Sequence, residues 1–185
     1  MDDPFLETVA QGLAVRGLRV ARFEFPYMAR RRSEGARRPP DREAVLLETW
    51  RDAIAALGGG AGLVIGGKSM GGRMASLVAD DSGARGLVCL GYPFHPPGRP
   101  ERVRTAHLAQ LRTPTLIVQG TRDPFGTPAE VAGYRLSPAI RIEWIEDGDH
   151  SLAPRRGSGR TRAQNLAAAI AAVAEFVARL PSVLY

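Results

Sequence analysis

The chain has 185 residues, 44% of them hydrophobic, which is enough for one domain with a buried core and too few for two. We therefore expect a single domain over residues 1–185. The formal net charge is +6, but Lys68 is the only lysine, so the charge reflects an arginine-rich composition and does not by itself predict nucleic-acid binding.

The first third of the chain alternates between helical and extended patterns. Apolar residues recur at helical spacing over residues 5–13, and residues 18–23 then alternate in the manner of a strand. Residues 27–41 are rich in arginine and proline and are expected to form a charged loop. A second helical face, over residues 45–57, ends at three consecutive glycines.

The rest of the chain repeats strands separated by helices or loops. Short apolar strands are expected at residues 63–65, 86–90, 115–118 and 140–145. A helix is expected after the first of these strands, and an amphipathic helix is expected over residues 166–177. This alternation predicts an α/β fold, a three-layer sandwich with a mostly parallel sheet and helices on both faces.

Several features predict a cytoplasmic protein. The single cysteine, Cys89, lies in an apolar run and has no partner for an intramolecular disulfide. The N-terminus lacks a basic segment followed by an apolar one, so no signal peptide is expected. Glu175 and Arg179 interrupt the alanine-rich C-terminal stretch, so no membrane span is expected either.

Residues 67–71, Gly-Lys-Ser-Met-Gly, fit the pattern G-x-S-x-G between a predicted strand and a predicted helix. In this context the serine stands on a strained turn, and the flanking glycines avoid collisions with neighbouring backbone. The free N–H groups of the helix N-terminus, with Met70 first, suit a developing oxyanion. Ser69 is therefore a candidate nucleophile. The alternative is that Ser69 only caps the helix, since serine is favoured at that position.

A nucleophilic serine needs a base, and the base needs a group that orients it. Asp123 follows the predicted strand at 115–118, and His150 follows the strand at 140–145. Because parallel strands end at one edge of a sheet, Ser69, Asp123 and His150 are expected to lie close together. Their order, nucleophile then acid then base, predicts a catalytic triad.

Other residues compete for the same roles. Asp147 and Asp149 are alternative acids, but Asp149 would struggle to reach the ring of the histidine beside it, whereas Asp123 follows a strand of its own. Asp123 also precedes a proline, so the alternative is a turn-forming role. Of the alternative bases, His95 lies in a proline-rich loop and is expected in a pocket wall, and His107 is expected at the surface or the core edge.

Residues 62–69 also match the P-loop pattern G-x-x-x-x-G-K-[ST]. The context is wrong for nucleotide binding, because residues 63–65 form a predicted strand where a phosphate cradle would be needed. The strand at 86–90 also lacks an aspartate that would help to hold magnesium. We therefore favour the G-x-S-x-G interpretation.

The segments that carry a family resemblance are residues 23–27, 66–72, 90–98, 120–123 and 148–151. Through them the chain resembles the α/β-hydrolase superfamily. More narrowly, it resembles the short dienelactone-hydrolase-like branch, which also contains a testis-expressed protein and a subunit of the non-specific-lethal chromatin complex. The resemblance implies carboxylic-ester hydrolysis without a metal or organic cofactor. It implies Ser69 as the nucleophile, His150 as the base and Asp123 as its partner.

One part of the family pattern is missing. Members of the fold normally begin with a central strand ending in His-Gly or a similar turn, whose N–H is the second oxyanion donor, and no such strand precedes Phe5. Losing one donor typically lowers turnover by about a hundred- to a thousand-fold, so weak activity is expected. We hypothesise that the N-terminal segment with this strand is lost because translation of the given sequence starts too late. Residues 19–23 are then expected either to pair with the strand at 63–65 or to leave a gap in the sheet.

The expected substrate is a small acyl compound, and Lys68, Tyr92, Phe94 and His95 are expected to line its pocket. For Lys68 the alternative is a packed stem with a solvated ammonium. Arginines follow several strand ends, which predicts a preference for anionic substrates or a polyanionic partner; solvated loops are the alternative. These residues are Arg30, Arg31, Arg32, Arg37, Arg38, Arg99, Arg122, Arg155 and Arg156.

The sequence thus predicts a serine hydrolase of esterase type that binds neither nucleic acid nor membranes. The alternative is a non-catalytic interaction module with the same fold. The missing strand favours the module, and the intact order of serine, aspartate and histidine favours the enzyme. A sheet edge left open by the missing strand is expected to favour homo-oligomers.

Overall fold

The structure is a computed structural model that describes residues 3–35 and 39–181. In chain order its elements are α1 (Pro4–Ala14), α2 (Pro26–Glu34), α3 (Glu43–Ala56), β1 (Val64–Lys68), α4 (Met70–Val78), β2 (Gly86–Leu90), a 3-10 helix (His107–Gln110), β3 (Thr115–Gly120), α5 (Pro128–Val131), β4 (Ile140–Ile145) and α6 (Arg162–Arg179).

The four strands form one parallel sheet in the order β1-β2-β3-β4. The central strands β2 and β3 are buried along their whole length, as expected for parallel strands covered on both faces. Because all four strands run in the same direction, they end at the same edge of the sheet. The segments that follow β1, β3 and β4 therefore come together there, as predicted.

Helices cover both faces of the sheet, and each face has its own apolar core. On one face α3 packs on α4, which packs on β1 and β2, around Trp50 and Met74. On the other face α1 packs on α6, which packs on β3 and β4, around Leu116 and Ile170. Burying one such side chain stabilises the fold by roughly 1.5–3 kcal/mol. The predicted three-layer arrangement is confirmed.

The expectation that residues 18–23 form a strand is wrong. They pair with no strand. In the described part of the chain β1 pairs only with β2, so β1 is an edge strand with no neighbour on its other side. The Phe23 ring instead stands edge-on to the Trp50 ring, with 4.7 Å between centroids, and residues 19–22 are exposed. Alternation alone does not make a strand, because a strand also needs a partner with free hydrogen-bonding groups.

The charged loop expected at residues 27–41 contains a helix instead. α2 begins at Pro26, where a missing N–H is tolerated, and it ends at Glu34, capped by Gly35 with its left-handed φ of 66°. Its apolar content is low, so the segment has no hydrophobic periodicity that would predict a helix. No helix among residues 3–35 and 39–181 is long and apolar enough to cross a membrane.

Candidate active site

Ser69 occupies the sharp turn between β1 and α4. Its φ is 51° and its ψ is −120°, a conformation that non-glycine residues rarely adopt and that is costly unless neighbours enforce it. Two backbone hydrogen bonds hold the turn: the Ser69 N–H donates to the Leu90 carbonyl at 2.9 Å, and the Arg73 N–H donates to the Ser69 carbonyl at 3.0 Å. Since residues 64–68 form β1, the P-loop-like segment contains no phosphate cradle.

The glycines around the turn differ in how closely they are packed. A Cβ on Gly67 would lie 2.8 Å from the carbonyl carbon of Gly71, and a Cβ on Gly72 would lie 2.6 Å from the Gly67 carbonyl oxygen. A Cβ on Gly71 would meet nothing within 4 Å. The expected collision of a side chain with backbone is therefore found at Gly67 but not at Gly71.

Asp123 follows β3 and is completely buried. One carboxylate oxygen, Oδ1, accepts a hydrogen bond from the Phe125 N–H at 2.9 Å. The other, Oδ2, accepts from Gln119 Nε2 at 2.9 Å and lies 2.8 Å from His150 Nδ1. A buried carboxylate is tolerated only when its oxygens are paired in this way.

His150 follows β4 and links the other two candidate residues. Its Nε2 lies 2.8 Å from Ser69 Oγ, and its Nδ1 lies 2.8 Å from Asp123 Oδ2. A carboxylate accepts but does not donate, which assigns the ring proton to Nδ1 and leaves Nε2 to accept from the serine hydroxyl. A histidine in this tautomer can take the serine proton during nucleophilic attack.

The N-terminus of α4 lies directly after Ser69. Met70 is its first residue, and in the described chain its N–H makes no backbone hydrogen bond outside the helix. Unpaired N–H groups at a helix N-terminus carry partial positive charge and stabilise an adjacent anion. Met70 is therefore placed as expected for an oxyanion donor.

The competing acids are engaged elsewhere. Asp149 Oδ1 accepts from the backbone N–H groups of Ser151 at 2.7 Å and Ala153 at 2.9 Å, which shapes the turn after His150. Asp147 accepts from the N–H and Nε of Arg155, at 2.7 and 2.8 Å. Both carboxylates thus organise the loop that carries the histidine rather than contacting its ring.

The competing bases also have other partners. Nε2 of His107 lies 2.8 Å from Ser76 Oγ, and burial lowers the pKa of His107. Nδ1 of His95 lies 2.9 Å from the Pro96 carbonyl, and its Nε2 lies 3.5 Å from Glu130 Oε2. Neither ring is hydrogen-bonded to Ser69.

The four residues expected to line the pocket occupy two environments. Tyr92, Phe94 and His95 are buried, and the Tyr92 hydroxyl donates to the Arg104 carbonyl at 2.9 Å. Lys68 is half-buried, and its Nζ donates to Ser151 Oγ at 3.1 Å and lies 4.7 Å from the centre of the Phe5 ring. A substrate-binding role for all four stays a prediction.

Three residues that sequence reasoning missed contact the histidine or its acid. The Phe125 ring lies against the His150 ring, with 4.2 Å between centroids and a tilt of 32° between the ring planes. A Cβ on Gly91, which has a φ of 68°, would lie 3.2 Å from Nδ1 of that ring. Gln119 is fully buried and hydrogen-bonded to Asp123. A polar glutamine inside an apolar strand is a signal that was available in the sequence.

Most of the arginines expected around the site have partners within the chain. Arg30 pairs with Asp41, Arg31 lies over the Tyr27 ring, and Arg32 pairs with Glu24. Arg122 and Arg155 both pair with Asp147. Arg99 and Arg156 are exposed and form no ion pair within the described ranges, and Arg37 and Arg38 lie outside those ranges.

A family model described as an alpha/beta hydrolase domain matches residues 1–178. The chain belongs to this family. Family membership and fold together support a hydrolase function. The narrower resemblance to the dienelactone-hydrolase-like branch stays a prediction.

Solved structures share the α/β-hydrolase fold at low sequence identity. An α/β serine hydrolase without a lid, from Xanthomonas campestris, has a TM-score of 0.71 and 18% identity, with 100% of this chain and 77% of that chain covered. An α/β serine hydrolase homologue from Coxiella burnetii has a TM-score of 0.69 and 17% identity, with 95% and 76% covered. The esterase domain of a Rhodothermus marinus protein has a TM-score of 0.66 and 16% identity, with 97% and 82% covered.

Proposed function

We propose that the protein is a serine hydrolase that cleaves carboxylic esters or related acyl compounds through an acyl-enzyme on Ser69. The observation that carries this proposal is the continuous hydrogen-bond chain from Ser69 Oγ through the His150 ring to Asp123 Oδ2. The strained backbone of Ser69 supports it, because such strain persists mainly where function requires it. Family and fold support the same class of reaction.

The first half of the reaction forms the acyl-enzyme. His150 Nε2 takes the proton of the Ser69 hydroxyl as Oγ bonds to the substrate carbonyl carbon, and the carbonyl oxygen becomes an oxyanion that accepts from the Met70 N–H. The ester C–O bond then breaks, and His150 gives its proton to the departing alcohol. The buried Asp123 carboxylate stabilises the imidazolium while it exists.

The second half releases the acid. Water loses a proton to His150 as its oxygen bonds to the acyl carbon, and a second oxyanion forms at the same place. The bond between that carbon and Ser69 Oγ breaks, and Oγ recovers the proton from His150. The products are an alcohol and a carboxylic acid, and the enzyme returns to its starting state without a metal or an organic cofactor.

Active-site labelling with a fluorophosphonate probe, read by intact mass, tests this function. The wild type should gain one phosphonyl group, and Ser69→Ala and His150→Ala should gain none at the same exposure. Asp123→Asn should slow labelling by about ten-thousand-fold, because an amide favours the wrong histidine tautomer. Asp149→Asn is the matched control: Asn keeps the oxygen that accepts from the two backbone N–H groups, so labelling should continue.

Two results would contradict the proposal. A folded wild type that does not react would favour a non-catalytic interaction module. Undiminished labelling of Ser69→Ala would show that another residue is the nucleophile.

A further inference from the structure

Gln119 is a polar side chain with no exposure to solvent, directly after the apolar residues 116–118 of strand β3. Burying an amide is costly unless its oxygen and nitrogen are both hydrogen-bonded. Both are: Oε1 accepts from the Tyr92 N–H at 2.7 Å, and Nε2 donates to Asp123 Oδ2 at 2.9 Å and to the Tyr92 carbonyl at 3.2 Å. A weaker contact joins Nε2 to the Gly126 carbonyl at 3.4 Å.

These partners lie in the two segments that contact the His150 ring. Asp123 Oδ2 is hydrogen-bonded to the ring at Nδ1. Gly91, which precedes Tyr92, lies against the same ring, so closely that a Cβ on it would lie 3.2 Å from Nδ1. The amide of Gln119 is hydrogen-bonded to both segments. It contacts the N–H and carbonyl of Tyr92 and also the carboxylate oxygen Oδ2 of Asp123.

We propose that Gln119 is a positioning residue that fixes Asp123 and the Gly91–Tyr92 backbone relative to each other, and so sets the orientation and protonation of His150. The consequence for the reaction rests on the proposed hydrolase function. The effect on the histidine ring does not, because it follows from these contacts alone. Gln119 acts through Asp123 and is not itself in contact with the reacting atoms.

Two substitutions separate this role from simple core packing. Gln119→Leu fills a similar space but removes the donor to Asp123 and the acceptor for Tyr92. Gln119→Glu keeps the shape, and while its carboxyl is protonated it still has an O–H to donate to Asp123. Once ionised, it places a second negative charge beside Asp123, which favours protonated His150 over the neutral base. Val118→Ala is the matched control, because Val118 is equally buried on the same strand but packs in the opposite core.

The first readout is the rate of fluorophosphonate labelling between about pH 5.5 and 9, a range that spans the ordinary titration of histidine. Gln119→Leu should slow labelling across the range. Gln119→Glu should match the wild-type rate while its own carboxyl is protonated and fall behind by up to about tenfold where that carboxyl is ionised and His150 is still mostly protonated, since a displacement of one pH unit changes the fraction of neutral base tenfold there. The deficit should disappear at the alkaline end, where the ring is neutral in both proteins. Val118→Ala should retain the wild-type pH profile.

The second readout is a nuclear magnetic resonance titration of the histidine rings, which needs no reaction. The chain contains three histidines, so the His150 signal can be assigned with the His150→Ala variant. In Gln119→Glu the His150 ring should gain its proton at a higher pH than in the wild type, and in Val118→Ala it should not move. Unchanged titration in both Gln119 variants, with labelling slowed only as much as in Val118→Ala, would overturn the proposal. Absent labelling of the wild type with a shifted titration would refute the hydrolase function and leave the positioning role standing.

Discussion

At the scale of single residues, Asp147 shows how one side chain anchors the loop that carries His150. Its backbone has a left-handed φ of 53°, and its carboxylate pairs with Arg155, which follows it in the chain, and with Arg122 from the segment after β3. Arg122 also donates to the carbonyls of Asp147 and Ala153. The carboxylate therefore ties the histidine loop to itself and to the loop of Asp123.

The charge of Asp147 should stabilise the fold in a pH-dependent way. The hydrogen bond from the Arg155 side chain, followed by the bond from its backbone N–H, lowers the pKa of Asp147. A lowered folded-state pKa contributes stability above the ordinary value of about 3.9, and that stability is lost as pH falls through the folded-state pKa. We expect Asp147→Asn to unfold more easily than the wild type at pH 7, with a difference that shrinks below about pH 4 as the wild-type carboxyl becomes protonated.

Urea unfolding at several pH values measures this difference. Asparagine tolerates the left-handed backbone, so the substitution isolates the charge. Asp52→Asn serves as the control, since Asp52 is exposed on α3 and forms no ion pair in the described part of the chain. A destabilisation of Asp147→Asn that persists unchanged at pH 3 would show that shape, and not charge, anchors the loop.

The candidate triad was predictable because each member follows the end of a strand. The order of the elements places these strand ends at one edge of the sheet. Gln119 and Phe125 were not assigned, although they lie four residues before and two residues after Asp123. Their roles depend on which side chains face the His150 ring across the loop after β3. That information lies in tertiary packing and not in local pattern.

At the scale of elements, the turn from β1 into α4 requires close packing against backbone at Gly67 but not at Gly71. We expect Gly67→Ala to lower the free energy of unfolding by about 1–3 kcal/mol, because its Cβ would press on the backbone of Gly71 and Gly72. Gly71→Ala should be neutral or stabilising by about 0.5–1 kcal/mol, since its Cβ meets open space and alanine favours a helix. Urea unfolding midpoints compare the two, and equal loss in both would contradict the assignment.

The elements that sequence predicted well are those whose pattern reflects burial. The strands at 86–90 and 140–145 were predicted at their observed bounds. The first is an apolar run that is buried throughout, whereas in the second apolar residues alternate with Arg141 and Glu143 and only Ile145 is fully buried. Residues 18–23 have an alternating pattern but no strand partner, and α2 is a helix with one buried residue, Tyr27. Periodicity predicts neither case. Residues 18–23 are not a strand because they have no pairing partner, and the bounds of α2 are set by Pro26 and Gly35.

At the scale of the whole molecule, ion pairs engage only part of the arginine content of the described residues. Arg122 and Arg155 bind Asp147, and their charge supports the histidine loop. Several exposed arginines, Arg99 and Arg156 among them, form no ion pair within the described ranges, and Arg102 and Arg104 line a cleft of about 350 Å³. The net charge of +6 still gives the surface a positive field that attracts anions.

This field should favour an anionic ester over a neutral one when salt is low. We expect kcat/KM for p-nitrophenyl hemisuccinate to exceed that for p-nitrophenyl butyrate by about tenfold at 10 mM salt, and the two to converge at 1 M, where charges are screened within about 3 Å. The double variant Arg99→Gln/Arg156→Gln removes charge from the segments that follow β2 and β4 in the chain, and it should reduce the preference. Arg51→Gln/Arg141→Gln removes as much charge from α3 and the opposite end of β4, so it should leave the preference nearly intact. Equal losses in the two double variants would assign the effect to net charge, and parallel salt dependence of the two esters would refute it.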